Sequence, residues 1–197
     1  MRVDVQCDQR TMRELYYPAF IAAVDAGVGS VMCSYNKVNG THACQNLELL
    51  LDDLKGSMNF TGFVVSDWFA THSTVDSANH GLDIEMPIGE FFGPALSQKI
   101  KSGRVSMDTV REKVFRILTS MFRVGLFDYP VHGNKTADAT SPERAALARM
   151  VAAQGTVLVR NARGILPLNQ TVRRIAVFGE YASEKELSTG GGSGRVH

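Results

Sequence analysis

One stretch, Gly62 to Trp68, constrains the fold of this chain more than any other. Three apolar residues, Phe63 to Val65, run directly into Ser66, Asp67 and the only tryptophan. A short continuous apolar run is typical of a strand buried on both faces. In parallel α/β folds the carboxyl ends of such strands form the edge where ligands bind. Asp67 is therefore a candidate functional carboxylate, although an aspartate in this position can also simply cap the next helix.

Helical and strand-like patterns alternate over the first 125 residues or so. Thr11 and Glu14 match a capping box for a helix that contains Pro18, which is unusual in a helix interior. Asn46 is expected to cap a second helix and Ser106 the longest one. Predicted helices cover about 11–27, 46–56, 74–79, 94–101 and 107–122, and predicted strands 30–36, 63–67 and 82–87. This alternation indicates βα units around a parallel sheet or barrel.

The sequence changes character after residue 126. Residues 127–140 are polar, aperiodic and contain Pro and Gly, which is typical of a linker. Ser141 and Pro142 then begin a helix, and two apolar runs, 157–159 and 175–178, are predicted as buried strands. We therefore predict a first domain over 1–126, a linker over 127–140 and the beginning of a second over 141–197.

Several features favour the secretory route. Four Asn-X-Ser/Thr sequons, at Asn39, Asn59, Asn134 and Asn169, are candidate glycosylation sites. Cys33 and Cys44 lie either side of an Asn-Gly turn and are a candidate disulfide, which leaves Cys7 unpaired. The first residues do not form a signal peptide, so we expect a fragment of a secreted protein.

Other function classes find little support. The net charge of +1 gives no electrostatic reason to bind nucleic acid or an acidic membrane, and the apolar runs are shorter than the ~20 residues of a membrane span. The glycines at 190–194 lack the spacing of a phosphate-binding loop. The five histidines show no metal-ligand spacing and are expected at the surface, so we predict no metal and no cofactor.

Three motifs resemble those of glycoside hydrolase family 3, in its β-glucosidase and β-xylosidase branch. They are Val31–Gly40, Gly62–Trp68 and Gly81–Pro87, and the later segments 156–168 and 190–194 are similar to the start of that family's second domain. The resemblance implies an α/β fold: the C-terminal part of a (β/α)8-type barrel followed by the beginning of an α/β sandwich domain.

The same resemblance implies a retaining mechanism and a role for each residue at the two strand ends. Asp67 would be the nucleophile that forms a covalent glycosyl–enzyme intermediate. Tyr35 would donate a hydrogen bond to it, and Trp68 and Met32 would form apolar walls of the sugar subsite. Asp83 and Glu85 have no catalytic match and are interpreted as structural.

A retaining mechanism needs a second carboxyl group about 5–5.5 Å from the nucleophile. In the family this group is a glutamate beyond residue 197, and the residues that grip the sugar hydroxyls precede residue 1. The expected substrate is therefore a β-linked glucoside or oligosaccharide, with this chain inactive by itself. A β-xylosidase and a non-catalytic carbohydrate-binding or vestigial product remain alternatives, and the oligomeric state is open.

Overall fold

The computed structural model describes residues 3–129, 133–134, 137–138, 140–179 and 182. The chain divides into two compact units, Met1–Gly133 and Asn134–His197. All strands found in the described residues belong to the first unit. The domain boundaries proposed above stay a prediction.

The first unit opens with a short strand and a long composite helix. Strand β1 (Asp4–Val5) is followed by helix α1 (Gln9–Thr11), a wider π-helical segment (Met12–Tyr16) and helix α2 (Tyr17–Asp25). Pro18 lies in the first turn of α2, where a missing backbone N–H costs little.

The predicted capping box at the start of this helix is wrong. Asp8 is the cap, because its carboxylate accepts a hydrogen bond from the backbone N–H of Thr11 at 2.8 Å. Glu14 instead pairs with Arg10 one turn earlier, 2.9 Å away. An aspartate three residues upstream of Thr11 satisfies the free N–H groups, so the helix begins earlier than the pattern predicts.

A parallel strand pair with a helical crossover forms the centre of the unit. Strand β2 (Ser30–Cys33) pairs with β5 (Phe63–Ser66), and Cys33 lies opposite Ser66. The crossover helix, Glu48–Ser57, is π-helical, and as predicted Asn46 caps it by accepting from the N–H of Leu49 at 3.2 Å. The buried core of this βαβ unit comprises Cys33, Cys44, Leu50, Leu54, Phe60, Val64, Ala70 and Leu82.

Two predicted strands are shorter than expected. The 30–36 strand ends at Cys33, because the chain turns into a hairpin of β3 (Lys37–Val38) and β4 (Thr41–His42), with β1 parallel to β3. The 82–87 strand is reduced to one bridge between Val65 and Ile84. Its apolar pattern reflects burial of Leu82 rather than extended pairing.

The remaining helices of the first unit agree with the sequence pattern. They are α3 (Val75–Asn79), α4 (Pro94–Lys101) and α5 (Met107–Arg123). Ser106 caps α5 as predicted, accepting from the N–H of Thr109 at 3.0 Å. Among the described helices none is long and apolar enough to cross a bilayer.

Asp83 and Glu85 are structural, as predicted. Asp83 is buried, forms an ion pair with Lys55 at 2.7 Å and accepts from the N–H of Val64 at 2.7 Å. The Glu85 carboxylate accepts from the backbone N–H groups of Phe91 and Phe92. Asp83 therefore fastens its segment to β5, and Glu85 fixes the loop that contains Phe91 and Phe92.

The second unit contains one long helix in its described part. Helix α6 (Pro142–Gly155) begins as predicted, with Ser141 accepting from the N–H of Arg144 at 3.2 Å. The predicted strands at 157–159 and 175–178 do not form, and Val159 and Phe178 are each 91% exposed. A doubly buried strand needs neighbours on both edges and both faces, and the described residues of this unit supply none. The glycines at 190–194 lie outside the described residues.

Candidate functional site

The candidate site lies at the carboxyl ends of β2 and β5. The N–H of Asp67 donates to the carbonyl of Cys33 at 3.2 Å, which continues the parallel pairing one step beyond Ser66. Asp67 thus leaves β5 directly at the sheet edge. Tyr35, two residues beyond β2, donates a hydrogen bond from its phenolic O–H to Oδ1 of Asp67 at 2.7 Å. The structure brings these two predicted residues into direct contact.

The two oxygens of the Asp67 carboxylate differ in their hydrogen bonds. Oδ1 also accepts from the N–H of Trp68 at 2.6 Å. No donor in the described part of the chain reaches Oδ2. Two donors on one oxygen fix the orientation of the carboxylate and leave the other oxygen available to a ligand.

Tyr35 is held in its protonated form. Its hydrogen bond to the Asp67 carboxylate is the main cause that raises its pKa above the usual value of 10.0, and desolvation adds to this. A tyrosine that stays protonated remains a hydrogen-bond donor throughout the neutral range. Tyr35 can therefore orient the Asp67 carboxylate but does not act as a base while its hydroxyl stays protonated.

Trp68 and Met32 occupy different surroundings. The Trp68 side chain is 54% exposed beside Asp67. Met32 is 58% exposed and lines an apolar cavity of about 340 Å³, also lined by Val5, Phe20 and Leu49. That cavity contains no carboxylate and none of Tyr35, Asp67 and Trp68. The Tyr35–Asp67 pair therefore does not line this cavity, and the role of Met32 as a subsite wall stays a prediction.

A disulfide closes the loop that carries Tyr35. Cys33 and Cys44 are bonded, with a Cα–Cα distance of 5.2 Å, and both are buried. Cys7 is a free thiol. The bridge ties the end of β2 to the 3₁₀ turn Ala43–Gln45, so it limits the freedom of the intervening hairpin.

The four candidate glycosylation sites differ in their surroundings. The side-chain amide of Asn39 exchanges two 2.9 Å hydrogen bonds with the backbone of Cys7. Asn59 is exposed in a turn with φ of 52°, and the side chain of exposed Asn169 accepts from the N–H of Thr171. Asn134 is also exposed. Their modification stays a prediction.

Sequence reasoning missed Phe69, which follows Trp68. Its φ of 62° is unusual for a bulky residue, its ring is 57% exposed, and its N–H donates to the carbonyl of Met86 at 3.0 Å. Only a glycine or asparagine at this position would have signalled a left-handed turn. Strained backbone of this kind clusters at functional sites.

The prediction that the histidines lie at the surface is wrong for two of the described ones. His42 is partly buried, and its ring stacks on that of His72 at 3.7 Å. His80 is also partly buried and bonds to the carbonyl of Gln45, whereas His72 is exposed. His132 and His197 lie outside the described residues. Within the described ranges no three His, Cys, Asp or Glu residues are arranged to hold a metal ion.

Comparison with known proteins identifies the family. A family model described as the N-terminal domain of glycosyl hydrolase family 3 matches residues 2–120. A β-glucosidase of Rhizobium radiobacter is 43% identical over 194 residues, covering 96% of this chain and 23% of that protein. The crystal structure of a β-D-glucoside glucohydrolase from Trichoderma reesei superposes with a TM-score of 0.75 at 38% identity, covering 85% of this chain and 24% of that one. A β-glucosidase from Kluyveromyces marxianus, solved in complex with glucose, gives 0.74 at 32% identity, with 84% and 21% covered.

The curated relatives are much longer than this chain, which spans about a quarter of their length. The α/β fold class is confirmed, with the first unit belonging to a (β/α)8-type barrel domain. The family model covers more than half of the sequence, including both strand ends that carry Tyr35 and Asp67. The chain therefore belongs to glycosyl hydrolase family 3.

Proposed function

We propose that this chain supplies the nucleophile of a retaining β-D-glucosidase, which removes glucosyl units from non-reducing ends. The observation that carries the proposal is the Tyr35–Asp67 hydrogen bond at the carboxyl ends of two paired parallel strands. The β-glucosidases among its relatives, one of them solved with glucose, support glucosides as the substrate class.

In the proposed reaction, Oδ2 of Asp67 attacks the anomeric carbon while the bond to the leaving-group oxygen breaks. The products of this step are a glycosyl ester on Asp67 and an alcohol that has taken a proton from an acid. Water then attacks the anomeric carbon of this ester and gives its proton to the acid residue, which is now deprotonated and acts as the base. This step releases glucose and restores the Asp67 carboxylate. Tyr35 holds Oδ1, so the attacking oxygen keeps its direction.

The proton donor is expected from another part of the protein. Asp83 is paired with Lys55, and the Glu85 carboxylate is occupied by two backbone N–H groups. Neither is free to protonate a leaving group. The proposal therefore assigns half of a two-carboxylate site to this chain, and the chain alone is expected to be inactive.

Secretion is part of the same proposal. A disulfide between Cys33 and Cys44 supports an oxidising compartment, because such bonds are rare where thiols are kept reduced. Glycosylation at exposed Asn59 or Asn169, detected by a mass change on glycosidase treatment, would support it further. Free thiols at both Cys33 and Cys44 in protein isolated without reductant from its native source would contradict it.

The test uses a chimaera in which these 197 residues replace the matching segment of the Rhizobium radiobacter enzyme. We expect it to release nitrophenol from an aryl β-glucoside and to be labelled at Asp67 by a 2-deoxy-2-fluoroglucoside. Asp67→Ala should remove both signals, whereas Asp52→Ala, which changes an exposed carboxylate, should leave them. Label at Asp83 or Glu85, or an active Asp67→Ala chimaera, would overturn the assignment. A folded but inactive chimaera would favour the non-catalytic alternative.

A further inference from the structure

Two histidines join the loop of Tyr35 to the loop of Asp67. His42, in β4, belongs to the hairpin that follows Tyr35, and His72 lies five residues after Asp67. Their ring centroids are 3.7 Å apart with an interplanar angle of 30°. We call these two residues the histidine pair. It forms a second contact between the two loops, independent of the Tyr35–Asp67 hydrogen bond.

The surroundings of His42 disfavour its charged form. Nδ1 of His42 is buried and has no hydrogen-bond partner in the described part of the chain. An imidazolium donates from both nitrogens, so protonation would leave a buried N–H unsatisfied. A neutral ring avoids this, because Nδ1 then carries no proton when Nε2 is the donor.

Neighbouring groups act mainly in the same direction. Burial is the first cause that lowers the pKa of His42, followed by His72 and by Lys37, which faces His42 across the β3–β4 ladder. Hydrogen bonding to the backbone of Tyr35 acts in the opposite direction but is smaller. The largest of these influences therefore all disfavour a charged His42.

We propose that the histidine pair positions Tyr35 against Asp67 only while it is uncharged, and that its contact opens on acidification. The pKa of His42 in the folded chain lies below its unfolded value of 6.5. Below 6.5 the unfolded chain therefore takes up the proton first. The stability contributed by the pair is complete above that value and is lost as pH falls through the folded pKa. A positive His42 ring would then face the positive Lys37 across the β3–β4 ladder and be repelled by it.

An intrinsic fluorophore can detect this opening. Trp68 is the only tryptophan and lies between Asp67 and His72 in the same loop. Its fluorescence reports on that loop without any ligand or turnover. The opening of the histidine pair does not depend on the proposed function. Only its effect on catalysis rests on that function.

The experiment titrates the full 197-residue chain from pH 7.5 to pH 5 and follows Trp68 fluorescence and Tm. We expect a fluorescence transition centred below 6.5, with Tm falling by about 3–5 °C for each tenfold loss in the folded-to-unfolded ratio. His42→Phe keeps a stackable ring without a titrating nitrogen, so the transition should disappear. The control His80→Gln, which keeps a donor for the carbonyl of Gln45, should retain it.

Two results would overturn the inference. One is an unchanged transition in His42→Phe, and the other is an NMR titration of the His42 ring at or above 6.5. In the chimaera, kcat should fall below pH 6.5 as the contact of the histidine pair opens. In the His42→Phe chimaera, this loss of kcat should be absent over the same pH range. A chimaera that is inactive at every pH would instead count against the proposed function, while the fluorescence result would stand by itself.

Discussion

Tyr35 and Asp67 are separated by 32 residues in the sequence, yet their side chains meet at 2.7 Å. The contact exists because β2 and β5 are parallel neighbours whose last paired residues, Cys33 and Ser66, stand opposite each other. Each residue leaves its strand at the same sheet edge. The proposed nucleophile and its proposed orienting donor are therefore brought together by strand register rather than by a local motif.

Tyr35→Phe in the chimaera tests the orienting role. It removes one of two donors on Oδ1 and leaves the ring in place, so the carboxylate loses its fixed direction. We expect kcat/KM for an aryl β-glucoside to fall roughly ten- to a hundredfold, since hydrogen bonds to charged groups are among the stronger ones. Tyr129→Phe, which changes a 79% exposed tyrosine, is the matched control. A loss of less than twofold in Tyr35→Phe would mean that Trp68 alone orients Asp67.

Sequence-based prediction succeeded where a single local interaction determines the structure. Ser106 and Ser141 cap their helices because each serine hydroxyl accepts from an otherwise free N–H group in the first helical turn. The apolar run ending at Asp67 predicted a strand end correctly, although only one face of β5, that of Val64 and Ser66, is fully buried and the other is partly covered. The family motif then added Tyr35, which no spacing argument would have placed beside Asp67.

Sequence reasoning failed where a distant partner decides the outcome. Residues 157–159 and 175–178 are apolar enough for buried strands but are exposed, with no strand partner among the described residues of their own unit. The stacking of His42 on His72 depends on two loops meeting in space, so neither residue carries a local signal. Phe69 adopts a left-handed conformation because its N–H is held by Met86, seventeen residues later.

Asp83→Asn is expected to destabilise the chain by about 3–5 kcal/mol. The carboxylate is fully buried between Lys55 at 2.7 Å and Lys113 at 3.8 Å, so its neutralisation leaves two buried ammonium groups without a counter-charge. The free energy of unfolding from urea titrations measures the loss. Asp108→Asn breaks an exposed ion pair with Arg111 and should cost less than about 1 kcal/mol. Equal effects of the two changes would show that Asp83 is not the anchor described above.

Lys113 gives the chain a pH dependence in the alkaline range. Burial lowers its pKa to about 8, against an unfolded value of 10.5, and Asp83 offsets only part of this. Between these two values the folded chain binds fewer protons than the unfolded chain, so the free energy of unfolding rises with pH. We expect urea midpoints to increase from pH 8 to pH 9.5 in the wild-type chain and to increase less in Lys113→Met, where Lys55, whose pKa is also lowered by burial, still contributes. Lys101→Met, a change at an exposed lysine, should keep the wild-type slope, and a level wild-type curve would contradict the prediction.

Phe69→Gly and Phe69→Ala form a pair that separates backbone strain from loss of the ring. Both remove an exposed aromatic side chain, but only glycine adopts a φ of 62° without a steric penalty from Cβ. We expect the glycine variant to be more stable than the alanine variant by about 1 kcal/mol, or roughly 2–4 °C in Tm, although glycine ordinarily costs stability relative to alanine. Thermal unfolding of the two variants side by side measures this difference. An alanine variant as stable as the glycine variant would mean that residue 69 relaxes out of the left-handed region, and the strain beside Asp67 would then play no part in shaping the site.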